Sequence, residues 1–170
     1  MSTCAECAKI QKTCCEEEIT FVGLTCGDIE RISEFTGQED FYELQAVDEE
    51  LKDIYVNPLN YSENDRIYVT YFFDSEGRRN VLKKNKNGEC CFITDNGCLL
   101  PSNIRPLICR IYPYEWNDQH EIWVEAGYCP KELFKDNEDL IRKVGLSAEE
   151  AKRLVSQFYA EIMKGHGSCE

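Results

Sequence analysis

The sequence predicts an α+β fold in which a small β-meander is flanked by helices. Two observations carry this prediction. The stretch 66–100 is rich in β-branched and aromatic residues and is divided by turn sequences. On either side of it, apolar residues recur at helical spacing. A chain of 170 residues suits one buried core, so we expect a single domain over 1–170 with a helical C-terminal extension at about 131–165.

Two helices are predicted before the meander, after an extended segment at 19–24. Thr25 and Asp28 have the spacing of a capping box, and Gly37 would end the helix that they begin. A second helical pattern runs over 39–55. The apolar face of the first helix is predicted to consist of Ile29, Ile32 and Phe35.

The meander is predicted to contain three strands joined by short turns. The strands are expected at 67–73, 79–84 and 89–93, with turns at 74–77, 87–88 and 95–97. The prolines between 101 and 113 argue against one long helix there. A further strand is expected at 120–125.

The C-terminal part is predicted to be helical. One helix over 138–144 would end at Gly145. Ser147 and Glu150 have capping-box spacing for the next helix, and Gly165 would stop it. Its apolar stripe, which we expect to pack in the core, consists of Ala151, Leu154, Val155, Phe158 and Ile162.

The charge balance is strongly acidic, with 19 Lys and Arg against 32 Asp and Glu and a net charge of −13. This balance argues against nonspecific nucleic-acid binding and against docking on anionic lipid, because both need basic residues. A basic or lysine-bearing protein partner would suit it, but the simpler meaning of the balance is a solvated acidic surface. The sequence has no apolar run of membrane-spanning length and no signal-peptide core near its N-terminus, so we expect a cytoplasmic protein without a membrane span.

Eleven cysteines are unusual for a cytoplasmic chain of this length. Disulfides explain them poorly in a reducing compartment, and an odd number leaves at least one cysteine unpaired. Thiolates that hold a metal are the better explanation for the clustered cysteines. Cys26 stands apart from the clusters, and we expect it to be a small buried hydrophobe.

The first cluster lies at the N-terminus. Cys4 and Cys7 are spaced so that one helical turn or short loop could direct both sulfurs toward one ion. Cys14 and Cys15 are adjacent, and neighbouring side chains point in different directions in regular structure. They could therefore serve two sites, or one could bind metal while the other packs. The glutamates at 16–18 are expected to form a solvated face.

The second cluster lies at 88–113, where Cys90 and Cys98 flank a tight turn and Cys109 follows. Cys129 stands alone before Pro130. Thiol ligands alone suit zinc, Cu(I) or an iron–sulfur cluster, and eight of them could supply one cluster with spares or two sites. The predicted metal ligands are Cys4, Cys7, Cys14, Cys15, Cys90, Cys98, Cys109 and Cys129.

Several neighbours of these cysteines have two interpretations. Cys91 follows Cys90 on a predicted strand, so we expect it to point to the opposite face and to be buried. Arg105 and Arg110 could stabilise thiolates or hold a substrate carboxylate, or they could form salt bridges in this acidic chain. The two histidines, which could also bind metal, are His120 and His166, the second in a tail that we expect to be frayed.

The cysteine pattern resembles that of the YkgJ-type cysteine-cluster family over roughly residues 4–130. The shared features are CxxC…CC at the N-terminus, TCGDIERI at 25–32, and G-x-C…C…R-P-x-x-C-R-x-x-P over 88–113. The resemblance implies a zinc- or iron-chelating domain whose cysteines fall on the eight predicted ligands, with Cys129 as the last. Two departures are the longer gap between Cys7 and Cys14, and Cys91 where the family often has proline.

We therefore expect a metal-binding protein whose cysteine-rich loops gather around a centre of zinc or an iron–sulfur cluster. An alternative follows from the resemblance, because flagellin lysine N-methylase is a larger relative of that family. In the alternative, the chain is a lysine N-methyltransferase-like or redox enzyme that uses the metal centre.

Overall fold

The structure is a computed structural model and describes residues 3–16, 21–47, 66–165 and 169. It combines helices with small antiparallel sheets, which confirms the α+β class. The helices are α1 (Thr3–Cys7), α2 (Cys26–Thr36), α3 (Arg66–Phe72), α4 (Leu107–Ile111), α5 (Asn137–Val144) and α6 (Ala148–Gly165). The strands are β1 (Tyr42–Ala46), β2 (Arg78–Leu82), β3 (Ile93–Thr94), β4 (Gly97–Cys98), β5 (Tyr114–Trp116) and β6 (Ile122–Val124).

The strands pair in three separate two-stranded antiparallel sheets, so the prediction of one continuous meander is wrong. β1 pairs with β2, β3 with β4, and β5 with β6. The predicted strand at 89–93 is reduced to a single bridge between Lys84 and Cys90 and to the short β3. The strands expected near 79–84 and 120–125 are confirmed as β2 and β6.

The segment predicted as a strand at 67–73 is instead the helix α3. The helical spacing lets Tyr68 stack on Phe72, with 4.9 Å between the ring centroids, and both rings pack against Phe158 of α6. The carboxylate of Asp118 accepts hydrogen bonds from the backbone N–H groups of Ile67 and Tyr68 at the start of α3. These tertiary contacts override the β-propensity of its aromatic and β-branched residues.

The helix predicted over 39–55 is also wrong where the structure describes it, because 42–46 form β1. The physical reason is that β2 has backbone hydrogen-bonding groups along both of its edges, and each edge needs a partner strand or segment. One side pairs with β1, and the other exchanges backbone hydrogen bonds with Val22 and Leu24. The expected extended segment is therefore confirmed over 21–24. Residues 48–55 of the predicted helix lie outside the described residues.

The helix boundaries read from the sequence are confirmed at α2, α5 and α6. Thr25 and Asp28 form the expected capping box, and Gly37 ends α2 at a φ of 67°. Phe35 departs from the expected apolar face, since its side chain is 53% exposed. All five residues of the apolar stripe on α6 are buried.

Two buried clusters organise the chain. The aromatic core surrounds α6 and consists of Phe72, Phe73, Leu107, Ile111, Tyr114, Leu146, Ala151, Leu154, Val155, Phe158, Tyr159 and Ile162. The thiol-side core consists of Leu24, Ile29, Ile32, Phe41, Leu82, Cys90, Phe92 and Leu100, with Cys15, Cys91 and Cys98 packed against it. Three of the predicted metal ligands, Cys15, Cys90 and Cys98, therefore lie in or against the second cluster.

Cys26 is not the isolated buried hydrophobe that the sequence predicts, because it forms a disulfide with Cys169. Their Cα atoms are 5.3 Å apart, within the range for such a bond. The two cysteines are 143 residues apart in sequence and meet because the end of α6 reaches the start of α2. A Cβ at Gly165 would lie 2.8 Å from the Cys26 sulfur, so a side chain there would have to displace it.

Candidate functional site

The turn at 14–16 is held between two parts of the chain. On one side, the backbone N–H of Cys90 donates to the Cys15 carbonyl at 2.8 Å. On the other, the Gln11 side chain donates to the Tyr128 carbonyl at 2.8 Å, one residue before Cys129. The turn therefore places adjacent cysteines between the 90–98 loop and the 128–129 segment.

Glu16 closes this turn. Its carboxylate accepts from the backbone N–H of Thr13 at 2.6 Å and from the Thr13 hydroxyl at 2.7 Å. The expectation of a solvated face is therefore wrong for Glu16, which is half-buried and has a structural partner. The other two glutamates of that run, Glu17 and Glu18, lie outside the described residues.

The β3–β4 hairpin presents Cys98 opposite Ile93. Gly97 has a φ of 96°, a left-handed conformation that glycine adopts without strain. α1 packs closely over this hairpin, since a Cβ at Gly97 would lie 3.5 Å from Cβ of Ala5. The hairpin is thus in packing contact with α1, the helix that contains Cys4 and Cys7. Cys7 is half-buried, and the side chain of Cys4 lies outside the described part of the chain.

The helix that carries Cys109 is anchored by Asp28. The backbone N–H of Leu107, in the first turn of α4, donates to Oδ1 of Asp28 at 3.0 Å. The other oxygen of that carboxylate accepts from the backbone N–H of Thr25 at 3.1 Å. One fully buried carboxylate therefore joins the start of α2 to the start of α4, which brings the TCGDIERI and RPLICR stretches together.

A buried ionic network supports this anchor. The Arg31 guanidinium lies 2.6 Å from a carboxylate oxygen of Asp28 and 2.6 Å from one of Glu161. The Thr25 hydroxyl also donates to Glu161. A Cβ at Gly27 would clash with the Glu161 carboxylate, so glycine permits the close approach of α6. Sequence reasoning missed the roles of Arg31 and Glu161, because only the capping role of Asp28 has a local signal.

Arg105 directs its positive charge toward three thiols. Its Nε donates to the Leu100 carbonyl at 3.0 Å, which fixes the side chain. The guanidinium lies near enough to Cys15, Cys98 and Cys109 to lower the pKa of each thiol electrostatically. Of the three predicted roles, which also included holding a substrate carboxylate, this placement favours stabilisation of thiolates over a salt bridge.

The three thiols beside Arg105 differ in acidity. A hydrogen bond from Cys14 lowers the pKa of Cys15 to about 7, and Arg105 adds to this effect against the opposing influence of burial. Burial raises the pKa of Cys98, and it raises the pKa of Cys109 well above its usual value. Negative charge on Cys15 raises both further, which shows that the three sulfurs share one electrostatic environment.

Cys90 and Cys91 do not point to opposite faces, so that prediction is wrong. Cys90 lies in the thiol-side core and Cys91 packs against the same core, because residue 91 lies in a turn and not in a continuing strand. The interaction between the two thiols raises the pKa of Cys90, as does burial, and it lowers the pKa of Cys91 against the opposing effect of burial. The Cys91 sulfur also lies 3.6 Å from the Phe41 carbonyl.

Cys129 lies beside a phenol. The Tyr112 hydroxyl and the Cys129 sulfur share a hydrogen bond at 3.3 Å. Burial raises the pKa of Tyr112, and the nearby sulfurs of Cys129 and Cys14 raise it further. Tyr112 follows α4 directly, so Cys129 lies at the end of the helix that carries Cys109.

Two other candidates lie away from the thiols. Arg110 has a lowered pKa because of burial and the nearby Arg31 charge, so it faces the ionic network. His120 stacks on Tyr159 with 5.2 Å between ring centroids, and its Nδ1 lies 3.1 Å from the Ser156 hydroxyl. Both contacts of His120 are on α6. His166 lies outside the described residues.

Within residues 3–16, 21–47, 66–165 and 169, no three His, Cys, Asp or Glu side chains form a group that could hold a metal ion as they stand. No helix in these ranges combines the length and the apolar character needed to cross a membrane. No family model, curated protein or solved structure matches the chain. The function must therefore be argued from the thiols themselves.

Proposed function

We propose that this chain holds zinc or an iron–sulfur cluster through cysteine thiolates, as a member of the cysteine-cluster family that it resembles. The observation that supports the proposal is that Cys90 lies in the thiol-side core with Cys15 and Cys98 packed against it, while Arg105, fixed on Leu100 of the same core, acts electrostatically on Cys15, Cys98 and Cys109. These cysteines come from three separate segments, and thiolate sulfur is the ligand that suits both kinds of centre.

The surrounding residues fit such a centre. The backbone of Cys90 is hydrogen-bonded to that of Cys15, so Cys90 is a fourth candidate ligand from the same part of the chain, and a tetrahedral zinc site would need four. Arg105 would offset part of the negative charge that four thiolates bring. A bound metal supplies the bonds that draw these sulfurs together, and its binding energy would also be folding energy.

The test is metal analysis of protein purified without oxygen. Iron, labile sulfide and broad absorption near ~400 nm would identify an iron–sulfur cluster, and a colourless protein with zinc would identify a thiolate zinc site. Cys98→Ser and Cys109→Ser should lose the metal. Cys26→Ser is the control, because it removes a cysteine that lies in the disulfide with Cys169 and outside this group, and it should keep the metal. Metal-free wild-type protein with freely titratable thiols would overturn the proposal.

An enzymatic role is the second candidate, and the acidic composition favours it. An excess of carboxylates suits a lysine-bearing protein partner. In this role the metal centre would serve methyl transfer to lysine or a redox reaction. Metal-loaded protein incubated with a lysine-rich peptide and a methyl donor should then give a methylated peptide by mass spectrometry, and Cys109→Ser should not. An unmodified peptide would count against methyl transfer.

A further inference from the structure

We propose that the outer face of the β5–β6 sheet binds a basic segment of a partner protein, through an exposed tryptophan and the carboxylates around it. This surface, which we call the Trp123 face, consists of Glu115, Glu121, Trp123 and Glu125. It lies on the side of the two strands opposite the aromatic core. The inference goes beyond metal binding and does not depend on it.

Alternation along the two short strands separates an inner from an outer face. The inner face belongs to the aromatic core or packs against it, and it consists of Tyr114, Trp116, Ile122 and Val124. The residues between these point the other way, because successive side chains of a strand lie on opposite faces. Glu115 and Trp123 are directly opposite each other in the register, and both are exposed.

The outer face extends beyond this central pair at both ends of β6. The backbone N–H of Glu125 donates to the Pro113 carbonyl at 2.9 Å, so Glu125 keeps the strand alternation and shares a face with Trp123. At the other end, the Asn117 side chain donates to the Glu121 carboxylate at 2.8 Å. Trp123 therefore has one glutamate two positions before it, one two positions after it and one directly across the sheet.

The carboxylates of Glu115 and Glu125 lie close enough to repel each other. Partial burial raises the pKa of Glu115, and the negative charge of Glu125 raises it further. Among the described residues, lysine and arginine form their ion pairs with other carboxylates. A cation placed between Glu115 and Glu125 would therefore relieve a repulsion that none of those ion pairs relieves.

The indole ring adds a second attraction for a cation. The side chain of Trp123 is 49% exposed. An ammonium or guanidinium group near the face of an aromatic ring is attracted by the ring quadrupole, and tryptophan is the strongest partner. One lysine or arginine side chain could thus contact both the ring and the carboxylates. A basic segment fits this face, whereas a second copy of the chain fits it poorly, because the chain has a net charge of −13.

The exposed surface of α2 offers a matched control. It has one exposed ring, Phe35, and two exposed carboxylates, Glu30 and Glu34. Successive positions on a helix are about 100° apart, so Phe35 projects to a different side from both glutamates. This surface therefore has the same kinds of group as the Trp123 face without carboxylates arranged around the ring.

The test is titration of the full chain with tetralysine, read by tryptophan emission and by calorimetry. Wild-type protein should bind the peptide with a change in emission. Trp123→Ala should abolish that change and weaken binding about two- to fivefold, the range for an exposed cation–π contact, and Trp123→Tyr should recover most of the affinity. The double variant Glu115→Gln/Glu125→Gln should weaken binding at least as much.

The controls decide whether the arrangement matters. Phe35→Ala and Glu30→Gln/Glu34→Gln should bind tetralysine as wild type does. Equal weakening in Glu30→Gln/Glu34→Gln would show attraction to the overall negative charge and would overturn the proposal. Equal binding of tetralysine with acetylated side chains, or no binding of tetralysine, would also overturn it.

Two further outcomes separate this proposal from its neighbours. A wild-type dimer in size-exclusion chromatography that Trp123→Ala converts to a monomer would assign the Trp123 face to a second copy of the chain, and would overturn the basic partner. The titration uses no metal, so failure of the proposed metal binding would appear in the metal analysis alone.

Discussion

The aromatic core is built on an 18-residue helix, whereas the thiol-side core borders strands of two to five residues. In the first region, α6 presents one long apolar stripe to α3 and α4. Each fully buried side chain of that stripe contributes on the order of 2 kcal/mol, so burial alone can hold the region together. In the second region, cysteines occupy places where larger apolar side chains would otherwise pack.

This difference teaches that the two halves of the molecule have different sources of stability. The aromatic core depends on packing, which metal removal leaves intact. The 90–98 loop of the thiol-side region has strands of only two residues, so on the proposed function it depends on bound metal as well. The following predictions compare the two regions, beginning with the largest expected effect.

Metal removal should affect the thiol-side region most. Binding free energies of structural zinc are about 10–16 kcal/mol, so a chelator should strongly reduce the protection of amides at 90–98 against hydrogen exchange. Amides in the middle of α6 should remain protected. The measurement is hydrogen exchange with mass spectrometry on loaded and chelated protein. Equal loss of protection in both regions would contradict the comparison.

Phe158→Ala should destabilise the aromatic core. Phe158 is fully buried, with its ring centroid 5.4 Å from that of Phe72 and 5.6 Å from that of Trp116. The cavity should lower the free energy of unfolding by about 3–5 kcal/mol in urea denaturation. Met163→Ala is the control on the same helix, since Met163 is 44% exposed, and it should change stability by less than about 0.5 kcal/mol.

Asp28→Asn should weaken the anchor between the regions. The change removes the charge that faces Arg31 and leaves that guanidinium with Glu161 alone, at a cost of about 3 kcal/mol in urea denaturation. Metal loss should accompany it, because Asp28 holds the helix of Cys109. Glu34→Gln, an exposed change on the same helix, should alter neither. Full metal retention in Asp28→Asn would show that the anchor does not position the site.

Reduction of the Cys26–Cys169 disulfide should have a somewhat smaller effect. Closing so long a loop restricts the unfolded chain, and loss of such bonds costs about 2–4 kcal/mol. Cys26→Ser should therefore lower the midpoint of urea denaturation under oxidising conditions. A reductant should lower the wild-type midpoint to the same value, and it should not change the variant. If a reductant leaves the wild-type midpoint unchanged, the prediction that the Cys26–Cys169 disulfide stabilises the protein is contradicted.

The smallest effect on stability should come from the replacement of Asp139, and this effect should depend on pH. The backbone N–H of Lys135 and the side chains of Lys143 and Arg142 lower the pKa of Asp139 from 3.8 to about 2. Because the folded-state pKa is the lower one, the stabilisation is present above about pH 4 and is lost as the pH falls through about 2. Thermal unfolding of Asp139→Asn should differ from that of wild type at neutral pH and converge with it near pH 2. A constant difference would contradict this linkage.

Some features follow from local sequence, and the structure confirms them. The capping box at Thr25, the stop at Gly37 and the stripe on α6 depend on neighbouring residues alone. Their physical causes are backbone hydrogen bonds at helix ends and the helical repeat. The eight predicted ligands stay a prediction, because no three of them within the described residues form a group that could hold a metal ion as they stand.

The tertiary structure decided what the local pattern could not. The segment 66–72 has the composition of a strand, yet its aromatic side chains stack against α6 only when it is a helix. Residues 42–46 have a helical pattern, yet β2 offers them backbone partners. The pairing of Cys26 with Cys169 and the meeting of Arg31 with Glu161 join residues more than a hundred positions apart. Such pairings depend on how the helices and strands pack against one another, and the spacing of residues within one segment does not predict that packing.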